Sequence, residues 1–319
     1  MLEMRSVVVP VLAVSGMVAA NVAWSQDYPN RPIRLLTAAA GGGADFIARQ
    51  IALALAPLGQ PVVVDNRTTG ALAADASFKS AHDGYTMNVS GSSLWTFTLL
   101  YPASYDVVRD FSRITQITRE ISVLAVHPSV PAKSIRELIA LAKAKPGALN
   151  YASTGIGGPQ QLGSELFKSM AGVNIVHVPY KGTAPSVTAV ISGEAQMTIN
   201  DVGVLMPQDK AGKLKALAVT SAGQTVLAPG LPTVAESGLP GYELTGLTNL
   251  FAPGKPPAAI LSRVHQEVVR YLNRPDVREV FLKSGLELVG STPDEFAALI
   301  KSDIAKWAKV IKDAGIKVN

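Results

Sequence analysis

A run of three glycines is the stretch of this sequence with the clearest chemical potential. Residues 41–45, Gly-Gly-Gly-Ala-Asp, separate the apolar run 33–40 from the apolar-periodic segment 46–58. The run predicts a buried strand and the periodic segment an amphipathic helix. A glycine turn between them exposes backbone N–H groups at the positive end of the helix dipole, which can bind an anion without a cationic side chain.

Two familiar phosphate-binding motifs do not describe this stretch. Phe46 occupies the place of the last glycine in G-x-G-x-x-G, and the Lys-Ser/Thr pair of a P-loop is missing. Taken alone, the glycines are also compatible with an ordinary tight turn between strand and helix. Asp45, in the first helical turn, is interpreted first as a helix cap or dipole partner and second as a ligand contact.

Residue types with catalytic potential show no catalytic spacing. The four histidines, at 82, 127, 177 and 265, are scattered and show no H-E-x-x-H spacing. No G-x-S-x-G elbow occurs, and the chain has no cysteine. Asp201 is the best titratable candidate for a cleft, but no paired base or nucleophile accompanies it. We therefore expect neither a catalytic centre nor a metal or cofactor.

The elements that would position these residues alternate between strand and helix. Short apolar runs at 61–65, 85–89, 121–126, 149–152, 174–178 and 195–199 predict strands, most of them separated by helical segments. This spacing indicates βαβ units and a parallel sheet. Five polar loops follow strands, at Gly41, Ser90, Ser153, Gly182 and Asn200. Ligands of open α/β sheets bind beyond the carboxyl ends of strands, so these loops predict a binding cleft.

Composition limits the class of protein. The 319 residues suit two domains, and 48% hydrophobic with 17% charged residues suits globular cores rather than disorder. The net charge of +5 is spread along the chain without a Lys/Arg block, so no nucleic-acid partner is expected. Without cysteine, the chain has no disulfide and no site for a lipid anchor at a mature N-terminus.

The first 25 residues have the order of a signal peptide. A basic start at Met4 and Arg5 precedes the apolar run 7–20, and small residues at Ala23 and Ser25 fit signal-peptidase cleavage before Gln26. A membrane anchor is the alternative, but the run is short and contains Pro10. We expect a soluble periplasmic protein.

Short motifs occur in order over nearly the whole mature chain. They are YPxRPIRL at 28–35, GGGAD at 41–45, PVVVDNR at 61–67, DGYT at 83–86, NYAS at 150–153, HVPYKGT at 177–183, AGKL with ALAVT at 211–220, and PTVAESG at 232–238. In these stretches the chain resembles the Bug-type periplasmic receptors of tripartite tricarboxylate transporters. The resemblance implies a type II periplasmic-binding fold, in which two doubly wound α/β lobes are joined by two crossing strands. We expect residues 26–124 plus 221–319 to form lobe 1 and 125–220 to form lobe 2.

The resemblance also implies where a carboxylate ligand would bind. In the family, backbone and hydroxyl donors and ordered water from loops of both lobes hold the carboxylate. The corresponding positions here are Gly42, Gly43, Ala44, Asp45, Ser92, Ser93, Ser153, Thr154, Thr183, Asn200 and Asp201. The implied partners are a small organic carboxylate and the membrane permease subunits of a tripartite transporter, with the receptor itself a monomer.

Three departures from the family pattern bear on ligand choice. Residues 37–40, Thr-Ala-Ala-Ala, replace the usual Pro and Phe ahead of the glycines, which implies a missing aromatic wall and room for a bulkier ligand. Thr68 and Thr69 stand where glycines are common, and the usual Asp-Asn pair is reversed as Asn200-Asp201. Two alternative functions would use the same cleft. One is an exported hydrolase-like enzyme that acts on a small carboxylate, and the other is a ligand sensor for a membrane signalling partner.

Overall fold

The strand before the glycines is the centre of a parallel three-stranded unit. The structure is a computed structural model that describes residues 28–156 and 158–316; the predicted signal peptide 1–25 and its cleavage site lie outside this range. β1 (Ile33–Thr37) pairs in parallel with β2 (Val62–Asn66) on one side and with β3 (Thr86–Gly91) on the other. The helices that follow these three strands are α1 (Gly43–Leu55), which continues as a 3₁₀ turn over Ala56–Leu58, α2 (Gly70–Phe78) and α3 (Ser93–Leu100).

A second parallel unit follows the same plan. β5 (Asn150–Ser153) pairs in parallel with β6 (Val176–Pro179) and with β7 (Met197–Asp201). The helices around these strands are α5 (Ile135–Ala144), α6 (Pro159–Ala171), α7 (Thr183–Ile191) and α8 (Val202–Lys210); the four-residue helix α4 (Val107–Asp110) precedes β4. Each unit has its own core on both sheet faces, so the predicted α/β class with two lobes is confirmed.

One long strand joins the two units. β4 (Phe111–Val126) pairs antiparallel with β9 (Thr245–Pro253) and β10 (Leu286–Leu288) along residues 111–121, and with β7 and β8 (Lys215–Val219) along residues 122–126. The chain returns to the first unit beside β4. There the Thr220 carbonyl accepts from the Leu244 amide at 2.9 Å, and the Thr220 hydroxyl donates to the Ser122 and Leu244 carbonyls. The chain therefore crosses between the units twice, as the predicted fold requires. β8, expected to be the return crossing, instead pairs with residues 123–126 of β4 in the second unit.

The return crossing extends further than the sequence indicates. Val234, Leu239 and Tyr242 belong to the buried cluster that contains Tyr151 and Phe167. The division at 124/125 and 220/221 stays a prediction, and this packing leads us to propose that residues 221–244 belong with the second lobe.

The C-terminal helices also differ from expectation. α9 (Ala258–Leu272) and α10 (Pro275–Lys283) pack on the core of the first lobe, as predicted for the tail. α11 (Pro293–Asp313) instead spans both lobes, with Phe296 in a first-lobe cluster and Trp307 in the main cluster of the second.

Several predicted boundaries move for physical reasons. β2 is an edge strand rather than a buried one, with Val63 52% exposed. Ser90 and Gly91 extend β3 because they pair with Asn249 and Thr248, and Asn200 and Asp201 end β7 rather than form a loop because they pair with β4.

Candidate ligand-binding site

The glycine turn presents free helix amides, as its position between β1 and α1 predicts. Gly41 adopts φ +80°, a conformation that favours glycine, and Gly42 caps the helix without a side chain. The first intrahelical bond runs from the Phe46 amide to the Gly42 carbonyl at 3.0 Å. The amides of residues 43–45 therefore have no acceptor within the helix. A Cβ added to Gly43 would meet no heavy atom within 4 Å, so this side of the turn is open.

Asp45 holds the turn in this shape. Its buried carboxylate accepts from the Gly41 amide and the Asn66 side chain, each at 2.9 Å, and pairs with Arg49 at 3.1 Å. Burial alone would raise the pKa of Asp45, but the hydrogen bonds from Gly41, Asn66 and Arg49 outweigh it and lower that pKa. The side chain thus binds within the loop from the first helical turn, where a carboxylate also interacts favourably with the helix dipole, while its backbone amide has no acceptor within the helix.

The turn opens into a cavity of about 470 Å³ between the lobes. Walls come from the turn and α1, from the crossing strand β4, from the end of β7 with the start of α8, and from the α10–β10 connection. The lining residues are Gly41, Gly42, Gly43, Phe46, Glu120, Ile121, Asp201, Gly203, Val204, Lys283, Ser284, Gly285 and Leu286. Gly42 and Gly43 of the glycine turn and Asp201 at the end of β7, which the resemblance predicts as ligand residues, therefore line one cavity.

Two carboxylates line this cavity without a cationic partner. Glu120 accepts a hydrogen bond from the Thr248 hydroxyl at 2.9 Å, and burial, with a smaller contribution from Asp201, raises its pKa. Asp201 is open to the cavity, but the surrounding walls remove part of its hydration and raise its pKa. Within residues 28–156 and 158–316, no Lys, Arg or His nitrogen lies within 4.0 Å of either carboxylate.

The cationic group in the wall is already paired. Lys283 forms an ion pair with Glu279 at 2.7 Å, one helical turn away, and both side chains are largely exposed. Since exposed pairs of this kind are well hydrated, the ammonium group adds little positive potential to the cavity.

Ser92 and Ser93 lie apart from the glycine turn. They line a second cavity of about 250 Å³, together with Thr96, Ile156, Gly158, Pro159, Leu162, Leu244, Thr245, Gly246 and Trp307. Gly246 pairs with Glu120 between β4 and β9. Glu120 lines the cavity of about 470 Å³ and Gly246 lines the cavity of about 250 Å³, so the two cavities are neighbours along these strands. The two serines remain predicted ligand residues, but in a different cavity from Gly43.

Thr154, Asn200 and Thr183, which are also predicted ligand residues, lie outside the walls of these two cavities. The Thr154 hydroxyl donates to Gln160 Oε1 at 2.7 Å, and the buried Asn200 contacts Ser186 and accepts from the Asp201 amide. Thr183 begins α7 after Gly182, which has φ +105°. Their direct contact with a ligand stays a prediction.

Ser153 contacts His177, a nucleophile-type pair that sequence spacing does not indicate. The Ser153 hydroxyl lies 2.6 Å from His177 Nε2 and donates to the Gly155 carbonyl at 3.1 Å, while the Gln161 side-chain amide faces Nδ1 at 3.2 Å. This pattern is satisfied when Nε2–H donates to the hydroxyl and Nδ1 accepts, and in that tautomer the imidazole does not take the serine proton. Ser153 is fully buried and burial lowers the pKa of His177, so the pair supports the loop as a neutral network.

Glu120 is the main site residue that sequence reasoning missed. It lies in 111–120, a run of mixed polar and apolar residues that lacks the continuous apolar pattern of a buried strand. The available signal was a lone carboxylate directly before the apolar strand 121–126. Among the described residues, no cluster of three or more metal-ligating side chains occurs, and no helix is long and apolar enough to cross a bilayer.

Two α/β lobes with a cavity between them define the class of two-lobed solute-binding proteins. A family model described as "Tripartite tricarboxylate transporter family receptor" matches residues 47–316. The chain is 32% identical to Protein BugT of Bordetella pertussis over 98% of this chain and 97% of that protein. The chain belongs to this receptor family, a family of solute-binding receptors rather than enzymes.

Solved structures show the same fold with ligands. Rpa4515 of R. palustris, solved with adipate, is 34% identical with a TM-score of 0.75, covering 91% of this chain and 99% of that one. MatC from Rhodopseudomonas palustris, with bound malate, is 28% identical with a TM-score of 0.71, covering 89% and 100%.

Proposed function

We propose that this protein is a periplasmic receptor that captures a small organic carboxylate between its lobes and delivers it to the membrane subunits of a tripartite transporter. The observation that carries the proposal is the open glycine turn, whose helix amides face a cavity that both lobes line. Such amides bind carboxylate oxygens through charge-assisted hydrogen bonds. The relatives solved with adipate and malate support a carboxylate as the ligand class.

The proposed contacts divide into two groups. Backbone amides of residues 43–45 receive one carboxylate of the ligand, and Asp201 faces it across the cavity. The loops that carry Ser92, Ser93, Ser153, Thr154, Thr183 and Asn200 contribute further contacts, directly or through water, when the lobes close. A volume of about 470 Å³ falls within the ordinary range for small-molecule pockets.

A thermal-shift screen of succinate, malate, adipate and citrate tests the proposal. A ligand present at about a hundredfold excess over its dissociation constant stabilises the native state by about 2.7 kcal/mol, which raises melting by about 5–10 °C for a protein near this size. Ligand recovered from the complex should be chemically unaltered. No shift with any carboxylate would contradict the receptor function, and conversion of the ligand within minutes would favour an enzyme.

Export is tested separately. We propose that the mature protein starts at Gln26 and works as a periplasmic monomer. Intact mass of protein released from the periplasm should lack residues 1–25, and light scattering should give the mass of one chain. A periplasmic species that keeps the segment would contradict the cleavage site.

A further inference from the structure

The HVPYKGT stretch at 177–183 lies along the loop that begins where β5 ends, and the proposed ligand contacts use only its last residue. The Tyr180 amide donates to the Ser153 carbonyl at 3.0 Å, and the Gly182 amide donates to the Thr154 carbonyl at 3.2 Å. The main chain of the stretch therefore fixes the first two residues of this loop, which we call the β5 loop (residues 153–156).

The Ser153 side chain is held by the first residue of the same stretch. Its hydroxyl donates to the Gly155 carbonyl at 3.1 Å and accepts from the Gly155 amide at 3.3 Å. His177 Nε2 lies 2.6 Å from the same oxygen. With the hydroxyl proton on the Gly155 carbonyl, the hydrogen of this contact comes from Nε2, and the hydroxyl then uses its one donor and both acceptor lone pairs.

Neighbouring groups hold the His177 ring in place and favour its neutral form. The ring stacks on Tyr151 with centroids 4.7 Å apart, and the Gln161 side-chain nitrogen faces Nδ1 at 3.2 Å. The charged groups of α6 near the ring are Glu165 and Lys168, which form an ion pair at 2.8 Å and act on the ring in opposite directions. Glu165 also accepts from the Tyr151 hydroxyl at 2.6 Å. Burial lowers the pKa of His177 below that of an ordinary histidine.

We propose that His177 is a positioning residue for ligand binding, whose neutral Nε2–H tautomer holds Ser153 and thereby keeps the β5 loop in the shape that receives the ligand. This inference rests on the proposed receptor function and goes beyond it, because His177 lies outside the walls of both cavities. Ile156 at the end of the β5 loop lines the cavity of about 250 Å³. A shift at Ser153 therefore changes the wall of that cavity.

The first turn of α6 is tied to the same ring. The Thr154 hydroxyl donates to Gln160 Oε1 at 2.7 Å, and the next residue, Gln161, faces His177. Pro159, which begins this helix, lines the cavity of about 250 Å³. His177 thus connects the β5 loop with the start of α6, and both segments contribute to one cavity wall.

Nitrogen NMR of the protein with isotope-labelled histidines tests the tautomer without any ligand. At pH 7 we expect Nε2 of His177 to be protonated and Nδ1 to be unprotonated, with the second proton binding below the ordinary histidine pKa of about 6.5. The signals that disappear in His177→Gln identify this residue. An Nδ1–H tautomer, or a charged ring at pH 7, would overturn the proposal.

Two variants separate the hydrogen-bond donor from the packing of the ring. His177→Gln places an amide nitrogen about as far from the main chain as Nε2, whereas His177→Phe keeps a ring that stacks on Tyr151 but has no donor. The probe is whichever of succinate, malate, adipate and citrate binds most tightly. We expect calorimetry to show affinity reduced about tenfold in His177→Phe and by less than about threefold in His177→Gln.

A matched control and a double-mutant cycle complete the test. His127 contacts the Ser129 hydroxyl at 2.7 Å away from the β5 loop, so His127→Phe should leave the affinity unchanged. If His177 acts through Ser153, Ser153→Ala and Ser153→Ala/His177→Phe should bind the probe equally within about twofold. Losses that multiply would overturn this route. Melting curves check that each variant is folded, and His177→Asn, whose amide is too short to reach Ser153, replaces a His177→Phe protein that does not fold.

The outcomes separate this inference from the receptor function. If the wild-type protein binds a carboxylate and His177→Phe binds it equally well, the positioning role is wrong and the receptor function stands. The same conclusion follows if His177→Gln binds as weakly as His177→Phe, because the donor then makes no difference. If the wild-type protein binds none of the four carboxylates, the receptor function fails and the positioning role fails with it.

Discussion

At the scale of single residues, Glu120 is a carboxylate in the wall of the cleft whose charge no nearby cation balances among the described residues. Its carboxylate has one hydroxyl donor and no cation within reach among the described residues, and burial raises its pKa. An uncompensated carboxylate in such surroundings destabilises the folded state. Proteins retain costs of this kind at functional sites.

We therefore expect Glu120→Gln to stabilise the unliganded protein at pH 7, by about 0.5–2 kcal/mol. Glutamine keeps the shape and the acceptor for Thr248 but carries no charge. Because the folded-state pKa of Glu120 is raised, its destabilising effect is full above that pKa and disappears below the unfolded value of about 4.3. Denaturant unfolding of both proteins from pH 7 towards pH 4.5 measures this difference. A stability gain that stays constant with pH would contradict the account.

At the scale of elements, α11 is the helix that spans the two lobes. Its first half packs Phe296 and Ile300 in a first-lobe cluster, and its second half packs Trp307 and Val310 in the second-lobe cluster. Between them, Asp303 accepts from the indole nitrogen of Trp95 at 2.8 Å. The start of this helix therefore supports packing on both sides of the cleft.

The capping box that opens α11 gives an element-scale prediction. The Thr292 hydroxyl accepts from the Glu295 amide, and Glu295 accepts in return from the Thr292 amide. Thr292→Ala should cost about 1 kcal/mol, or roughly 2–4 °C in melting temperature. Thr292→Ser keeps the hydroxyl and serves as the control. Equal melting of the alanine and serine variants would show that this cap does not stabilise the fold.

Local signals explain which elements the sequence predicts. The capping box at Thr292 and the glycine turn before α1 are each determined by residues that are close together in the sequence, and both occur as predicted. The first part of β4 and all of β9 were not predicted, since polar residues such as Gln116, Thr118 and Asn249 interrupt their apolar pattern. These strands are specified by pairing between residues more than 100 positions apart.

The candidate site divides in the same way. The glycine turn and Asp201 carry their signal in short motifs, so both were found and both line the large cavity. Glu120 lines the cavity because β4 crosses between the lobes. Residues 284–286 line it because α10 packs on the core of the first lobe. Their contribution depends on tertiary contacts that spacing along the chain does not record.

At the scale of the whole molecule, two chain crossings join lobes with separate cores. β4 forms one crossing, and the return near Thr220 and Leu244 forms the other. Domains joined by few segments move as hinged bodies, and a ligand that contacts both selects the closed arrangement.

We expect the radius of gyration measured by small-angle scattering to fall when a carboxylate ligand is added. A carboxylate buried in the cleft needs hydrogen bonds from both lobes, which only closure completes. Scattering with an equal concentration of a non-binding carboxylate from the thermal screen is the control. A melting shift without compaction would retain the receptor function and exclude the hinge.

The central claim is that backbone amides at Gly43 hold the ligand carboxylate, and Gly43→Val tests it most directly. Gly43 is not among the glycines with positive φ, and a Cβ there has open space, so the variant should fold. Gly223→Val meets the same two conditions in the return crossing, away from both cavities, and is the matched control. Calorimetric titration with the tightest carboxylate should show affinity reduced by about 10–100-fold for Gly43→Val and unchanged for Gly223→Val. Unchanged affinity in a folded Gly43→Val protein would show that the glycine turn is only a turn.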